Sequence, residues 1–185
     1  PYSAAGELIY QDDFTQSSSR WHSSQEDPNS MQIKDGRLVL QVSLPFSLSR
    51  ATVDYAYEAM SISTTARVLA GSGISDFGLM CGALDEQHFT VLEVSEDGYF
   101  SIWKRLGLET LSLLDWTYAE EIAAGGVLQL SAECSSESLK LAVNNGLLAE
   151  VVDPQFTPGS VGLIVGTLAG PNLSVGFDNV EIRIP

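Results

Sequence analysis

His88-Phe89-Thr90-Val91-Leu92-Glu93-Val94-Ser95-Glu96-Asp97-Gly98-Tyr99-Phe100-Ser101-Ile102-Trp103-Lys104-Arg105-Leu106 is the stretch that decides the fold. Glu96-Asp97-Gly98 has the composition of a three-residue hairpin loop, with Gly98 in the left-handed position that closes a type I turn plus bulge. Ser95 then faces Tyr99, which sets Val94 opposite Phe100 and Leu92 opposite Ile102. The other face carries Glu93 with Ser101, Val91 with Trp103 and Phe89 with Arg105. A slip of one residue would mix the two sets, so the register is self-consistent and one face is core.

The same reading extends outward. A three-residue loop at Asn144-Asn145-Gly146 pairs Val143 with Leu147, Leu141 with Ala149 and Leu139 with Val151, and sets Lys140 beside Glu150 on the reverse face. At Asp35-Gly36 a two-residue turn pairs Ile33 with Leu38 and Met31 with Leu40. Further strands are expected at 7–11, 51–57, 60–70, 76–84, 109–115, 127–134, 160–167 and 173–184. Gly71-Ser72-Gly73 reads as a turn, and 119–124 as no more than one turn of helix before Gly125-Gly126. About a dozen strands are too many for one open twisted sheet, and two packed antiparallel sheets are the solution. The first and last strands are expected side by side at one edge. Residues 1–6 read as a linker or a trimmed end, and 7–185 as one all-β sandwich domain.

The 185 residues are 44% hydrophobic and 18% charged, enough to bury a core without a metal or a dense disulfide framework. Twenty-four acidic residues against nine Lys and Arg give a net charge of −15, which repels a phosphate backbone and an anionic membrane. The apolar runs are too short and interrupted to span a bilayer. Only His22 and His88 are present, with no Gly-x-Ser-x-Gly elbow and no phosphate-cradling glycine loop before a helix. Cys81 and Cys134 lack metal-ligand spacing. Each shares the parity of inward apolar neighbours, as a disulfide or as two buried thiols.

Asp12-Asp13-Phe14 with Trp21, Asp35-Gly36-Arg37-Leu38, Phe77-Gly78-Leu79-Met80-Cys81 and Asp97-Gly98-Tyr99 occur in that order. Cys134, Asn145-Gly146, Gly159-Ser160-Val161-Gly162-Leu163 and Phe177-Asp178-Asn179-Val180 follow. This ordered set, from about Leu8 to Ile184, resembles the concanavalin A-like lectin/glucanase superfamily. Within it the chain looks most like laminin-G-like and 3-keto-disaccharide-hydrolase-like jelly rolls of bacterial extracytoplasmic proteins. The resemblance implies a jelly roll with a convex and a concave sheet, an exported or cell-surface setting, and a Cys81–Cys134 bridge. It also implies a structural calcium ion at one edge, for which Asp12, Asp13 and Asp178 are the candidates. The alternative for Asp13 and Asp178 is turn capping, a common role of Asp.

On the polar face of the 88–106 hairpin, Glu93, Tyr99, Trp103 and Arg105 combine aromatic planes with charged hydrogen-bonding groups, the mixture a sugar ring requires. Trp116 and Tyr118, read on the loop that follows, line one end of the same groove, and Trp21 belongs in the core. The alternative is that Trp103 packs under a neighbouring strand or loop. Glucanases of the superfamily carry Glu-x-Asp-x-x-Glu on one strand. Here Glu93 is followed by Ser95 where the middle acid belongs and by Gly98 where the second Glu belongs, so Glu93 is the one candidate and no catalytic set is complete. The expectation is a noncatalytic carbohydrate-binding module, a monomer or a domain of a larger protein. Its alternatives are a glycoside hydrolase with nonstandard carboxylates and a structural or adhesion module.

Overall fold

The computed structural model describes residues 6–16, 20–23, 30–71, 75–123, 126–168, 170 and 172–185. Residues 1–5 of the linker read at 1–6, Ser72 and Gly73 of the Gly71-Ser72-Gly73 turn, and the end of the short helical turn lie outside them. In chain order the strands are β1 (Glu7–Asp12), β2 (His22–Ser23), β3 (Met31–Ile33), β4 (Leu38–Val42), β5 (Leu48–Val53), β6 (Ala59–Ala70), β7 (Ser75–Ala83) and β8 (His88–Ser95). After them come β9 (Tyr99–Leu106), β10 (Glu109–Tyr118), the short helix α1 (Glu120–Ala123), β11 (Val127–Ser135), β12 (Leu139–Val143), β13 (Gly146–Val151), β14 (Ser160–Thr167) and β15 (Leu173–Ile184). The expected strand at 51–57 begins and ends earlier, because Asp54 starts an irregular segment. β10 runs on through Tyr118, so Trp116 and Tyr118 lie on a strand and not on a loop.

Two antiparallel sheets form. The first has the order β13-β12-β11-β6-β15-β4-β3, with β1 also on β15; the second is β10-β9-β8-β7-β14-β5-β2. Their inner faces supply one core, with Leu38 and Leu40 of β4, Leu128 and Leu130 of β11 and Phe177 of β15 meeting Leu79, Leu92, Ile102 and Leu163 of the second sheet. Cys81 of β7 and Cys134 of β11 are joined across that core.

The β8–β9 hairpin has the expected register, with Val94 opposite Phe100, Leu92 opposite Ile102 and Glu93 opposite Ser101. Gly98 sits at φ +97°, beyond the reach of an ordinary side-chain-bearing residue. The Asp35-Gly36 turn also holds, with both residues left-handed as a type I′ turn requires.

Two further expectations are corrected. At Asn144-Asn145 both residues take positive φ and form a two-residue turn, so Val143 faces Gly146 and not Leu147. A bulge beyond Ala142 then restores the expected pairs of Leu141 with Ala149, Lys140 with Glu150 and Leu139 with Val151. The terminal strands do pair, but β15 lies inside its sheet and not at an edge. Leu173, Val175 and Phe177 point to the core; then Asn179 turns left-handed at φ +51°, the register with β6 shifts, and Val180 and Ile182 take over. Thr64 and Thr65 hydroxyls donate to the Asp178 carbonyl at this bulge. One strand thereby serves β4 with its first half and β1 with its second.

Candidate functional site

Alternation along β7, β8 and β9 sends one set of side chains away from the core. Met80, Ala83, Phe89, Val91 and Ile164 form a second, smaller apolar cluster on the outer face of the second sheet, with Leu48 and Trp103 packed against it. Asp76, Glu93, Ser101, Trp103 and Arg105 share that face and line a cleft of about 460 Å3. Its walls are Phe46 from the β4–β5 connection, Leu48 at the start of β5, Leu114 and Trp116 from β10, and Leu168 after β14. Two glycines shape the floor. A Cβ on Gly78 would lie 2.3 Å from the Leu92 carbonyl oxygen and 2.6 Å from the Glu93 Cα, so only glycine lets β7 approach β8 this closely. Gly166 leaves the cleft open beside Asp76.

Glu93 is 5% exposed, and its Oε1 accepts hydrogen bonds from the Trp103 indole Nε1–H (2.7 Å) and the Ser101 hydroxyl (3.0 Å). Burial, and then the nearby Asp76 charge, push its carboxyl up to about 8 against the pull of those two donors. Asp76, 6% exposed, is raised to about 7 by burial and then by Asp97. Its Oδ1 is buried with no hydrogen-bond partner among the described residues. Both carboxyls thus hold protons well above the usual carboxylate range, and in the protonated form each can donate to as well as accept from a hydroxyl. Asp97 accepts a hydrogen bond from the Ser95 hydroxyl at the mouth of the hairpin.

The aromatic residues divide by position. Trp103 is half-buried, edge-on to Phe89 at 5.7 Å, and its N–H is committed to Glu93. Trp116 is 41% exposed. It stands between the cleft and a smaller hollow of about 220 Å3 lined by Asp76, Asp97, Tyr99 and Leu168. Tyr99 and Tyr118, both exposed, pair edge-to-face at 5.5 Å beside it. Arg105 donates to the Thr110 hydroxyl across to β10.

Glu93, Trp103, Arg105 and Trp116 therefore converge on one cleft, and Tyr99 lines its neighbour. Sequence reasoning missed Asp76 and Arg50. Asp76 faces Ser95 across β7–β8, two residues along from the Gly78–Glu93 pair and so on the same face, and the signal is in the strand pairing. Arg50 lies over the Phe89 ring at 4.4 Å.

Asp12, Asp13 and Asp178 lie elsewhere. Asp12 accepts from the Tyr10 hydroxyl (2.9 Å), the Trp21 indole (3.2 Å) and the Phe14 amide (2.8 Å), holding Phe14 left-handed at the strand end. Asp13 caps Thr15, and Asp178 accepts from the Asn179 amide. Asp12 faces Val180, so the two segments do meet. These carboxylates are nonetheless engaged as turn and bulge acceptors. Among the described residues no three Asp, Glu, His or Cys side chains are grouped as cation ligands.

Two antiparallel sheets with a polar-aromatic cleft on the outer face of one define a jelly-roll β-sandwich. The solved structures it is similar to are of that kind. A carbohydrate binding module, CBM66, from Bacillus subtilis superposes with a TM-score of 0.73 over 90% of this chain and 96% of its own, at 14% identity. The catalytic domain of an endo-1,3-beta-glucanase (laminarinase) from Thermotoga petrophila gives 0.69 over 98% and 99%, at 10% identity. A beta-glucanase from Bacillus licheniformis gives 0.67 over 97% and 99%, at 12% identity. At these identities the likeness is one of fold. No protein-family model matches the sequence, and comparison with curated proteins finds no match.

Proposed function

We propose that this domain is a noncatalytic, extracytoplasmic carbohydrate-binding module whose ligand lies in the cleft on the outer face of the second sheet. The observation that carries the reading is the convergence of Trp103, Trp116, Glu93, Asp76 and Arg105 on one cleft of about 460 Å3. An aromatic plane for sugar C–H groups and nearby donors and acceptors for hydroxyls is what recognition of a pyranose or furanose demands. The Cys81–Cys134 bridge supports an oxidising, exported setting, and the domain acts as a monomer or as one part of a larger protein. A calcium ion at the Asp12–Asp178 corner is no part of the proposal.

A glycan-array screen of the purified domain tests it. A reproducible hit, lost in a folded Trp116→Ala variant, supports the reading; a blank array moves the function to a protein partner or a structural role. One observation favours a second reading: Asp76 supplies the further carboxyl beside Glu93 that the sequence pattern lacked. A hydrolase using that pair would release reducing sugar from a β-glucan and lose this activity in Glu93→Gln. Retained binding with no sugar release leaves the module reading in place.

A further inference from the structure

We propose that the Arg50–Arg105 end of the cleft receives an anionic substituent, so that the bound saccharide carries one acidic group among otherwise neutral sugars. This rests on the carbohydrate reading and gives it a substrate class. The cleft continues past Phe46, Ser47, Leu48 and Arg105 into a second hollow of about 580 Å3, lined also by Arg50, Glu86 and Leu108. Arg50 and Arg105 line it together, and neither makes an ion pair with a carboxylate among the described residues. Lys104, Lys140 and Arg183 do pair with carboxylates, while Arg20, Lys34, Arg37 and Arg67 show no such pair among the described residues, so what sets Arg50 and Arg105 apart is that they share one hollow. Arg50 is held in place by the Phe89 face beneath it. Burial, and the like charge of Arg105, lower its hold on its proton, while Glu86 and Asp85 act the other way. Placing two like-charged guanidiniums on one half-buried hollow costs free energy that an anion bound near both returns. Their planar forks suit a carboxylate or a sulfate equally.

The opposite end sets the limit. Asp76, Glu93 and Asp115 line it, and a second anion there would meet carboxyl groups. A polyanion would also meet the net charge of −15, whereas one acidic group seated on the arginines is shielded from remote charges beyond about 8 Å at physiological ionic strength. The cleft therefore has a direction, with the acidic sugar at Arg50–Arg105 and neutral sugars over Trp103 and Trp116.

The test is calorimetric titration of the domain with three probes: a glucuronic acid–glucose disaccharide, its neutral diglucose counterpart and the 6-O-sulfated form of that counterpart. Charge-assisted hydrogen bonds predict that at least one anionic probe binds about tenfold or more tighter than the neutral one. The carboxylated and sulfated arms identify which anion is recognised. Arg105→Gln should shrink the preference to under about twofold, and Arg50→Lys should reduce it partway, both variants retaining the wild-type near-UV spectrum. Equal affinities for the three probes overturn this inference and leave the carbohydrate reading standing. So does failure of all three alongside hits on the glycan array. A blank array with no probe binding removes both.

Discussion

Lys104 and Arg105 are neighbours on β9, and the sheet sends them to opposite faces with opposite surroundings. Lys104 enters the core side, 3% exposed, and its Nζ donates to both carboxylate oxygens of Asp153 at 2.7 and 2.9 Å. Asp153 also accepts from the Gln155 amide, so the buried pair is neutralised and bonded. Among the described residues Arg105 lines the outer cleft with no carboxylate ion-pair partner, and Glu93 and Asp76, which line it too, pair with no cation. The inner face buries charge only where it is matched. The outer face leaves charges and a carboxyl oxygen unmatched, an arrangement that stability alone does not favour and that a ligand can complete.

Lys104 carries the largest expected effect. Lys104→Met strands Asp153 in the core and should cost on the order of 3–5 kcal/mol in denaturant unfolding, whereas Arg105→Gln should cost under about 1 kcal/mol. Equal losses would erase the distinction between the faces. Next is the bridge: Cys81→Ala with Cys134→Ala should lower stability by roughly 2–4 kcal/mol, seen as an earlier denaturant midpoint.

The third expectation is pH dependence. Asp76 and Glu93 hold their protons to about 7 and about 8 in the folded chain, against 3.8 and 4.5 when unperturbed. The folded state therefore binds more protons than the unfolded across that window, and stability falls as pH rises through it. Their favourable contribution is full below about pH 4 and lost above about pH 8. Asp13, held down by Thr15, and Asp85, held down by the Gln87 amide and His88, act only below the ordinary carboxylate range. Thermal midpoints measured from pH 5 to 8.5 should decline; a flat or rising profile contradicts the assigned proton affinities. The smallest effect is expected at the Asp12–Asp178 corner, where chelator should leave the midpoint unchanged. A downward shift would restore a structural cation there.

Much of the inner face was legible because it follows local rules. The 88–106 hairpin fixes its register through Gly98 and two sets of side chains that cannot be exchanged. Asn144-Asn145-Gly146 was less determinate, since either Asn in succession or the Gly can adopt a left-handed conformation; only the bulge beyond Ala142 returns the distal pairs to register. The interior place of β15 depends on contacts among strands distant in sequence, and the Asn179 bulge that permits it is silent in an alternation pattern. Glu93, Trp103 and Arg105 were found because their hairpin is local. Asp76 was not, because every residue of β7 is buried, so no in–out alternation marks which face its carboxyl joins. The site was half legible for that reason: its β8–β9 half is one hairpin, while β7, β5 and the 44–47 connection reach it only through the assembled sheet.

The most direct test of the central claim is Asp76→Asn, measured at pH 8 for both thermal midpoint and retention of the glycan that the array identifies. If the outer-face carboxyls serve a ligand and not the fold, the variant melts higher than wild type and binds that glycan more weakly. A variant that melts lower and binds as well as wild type would make Asp76 a structural residue and contradict the account.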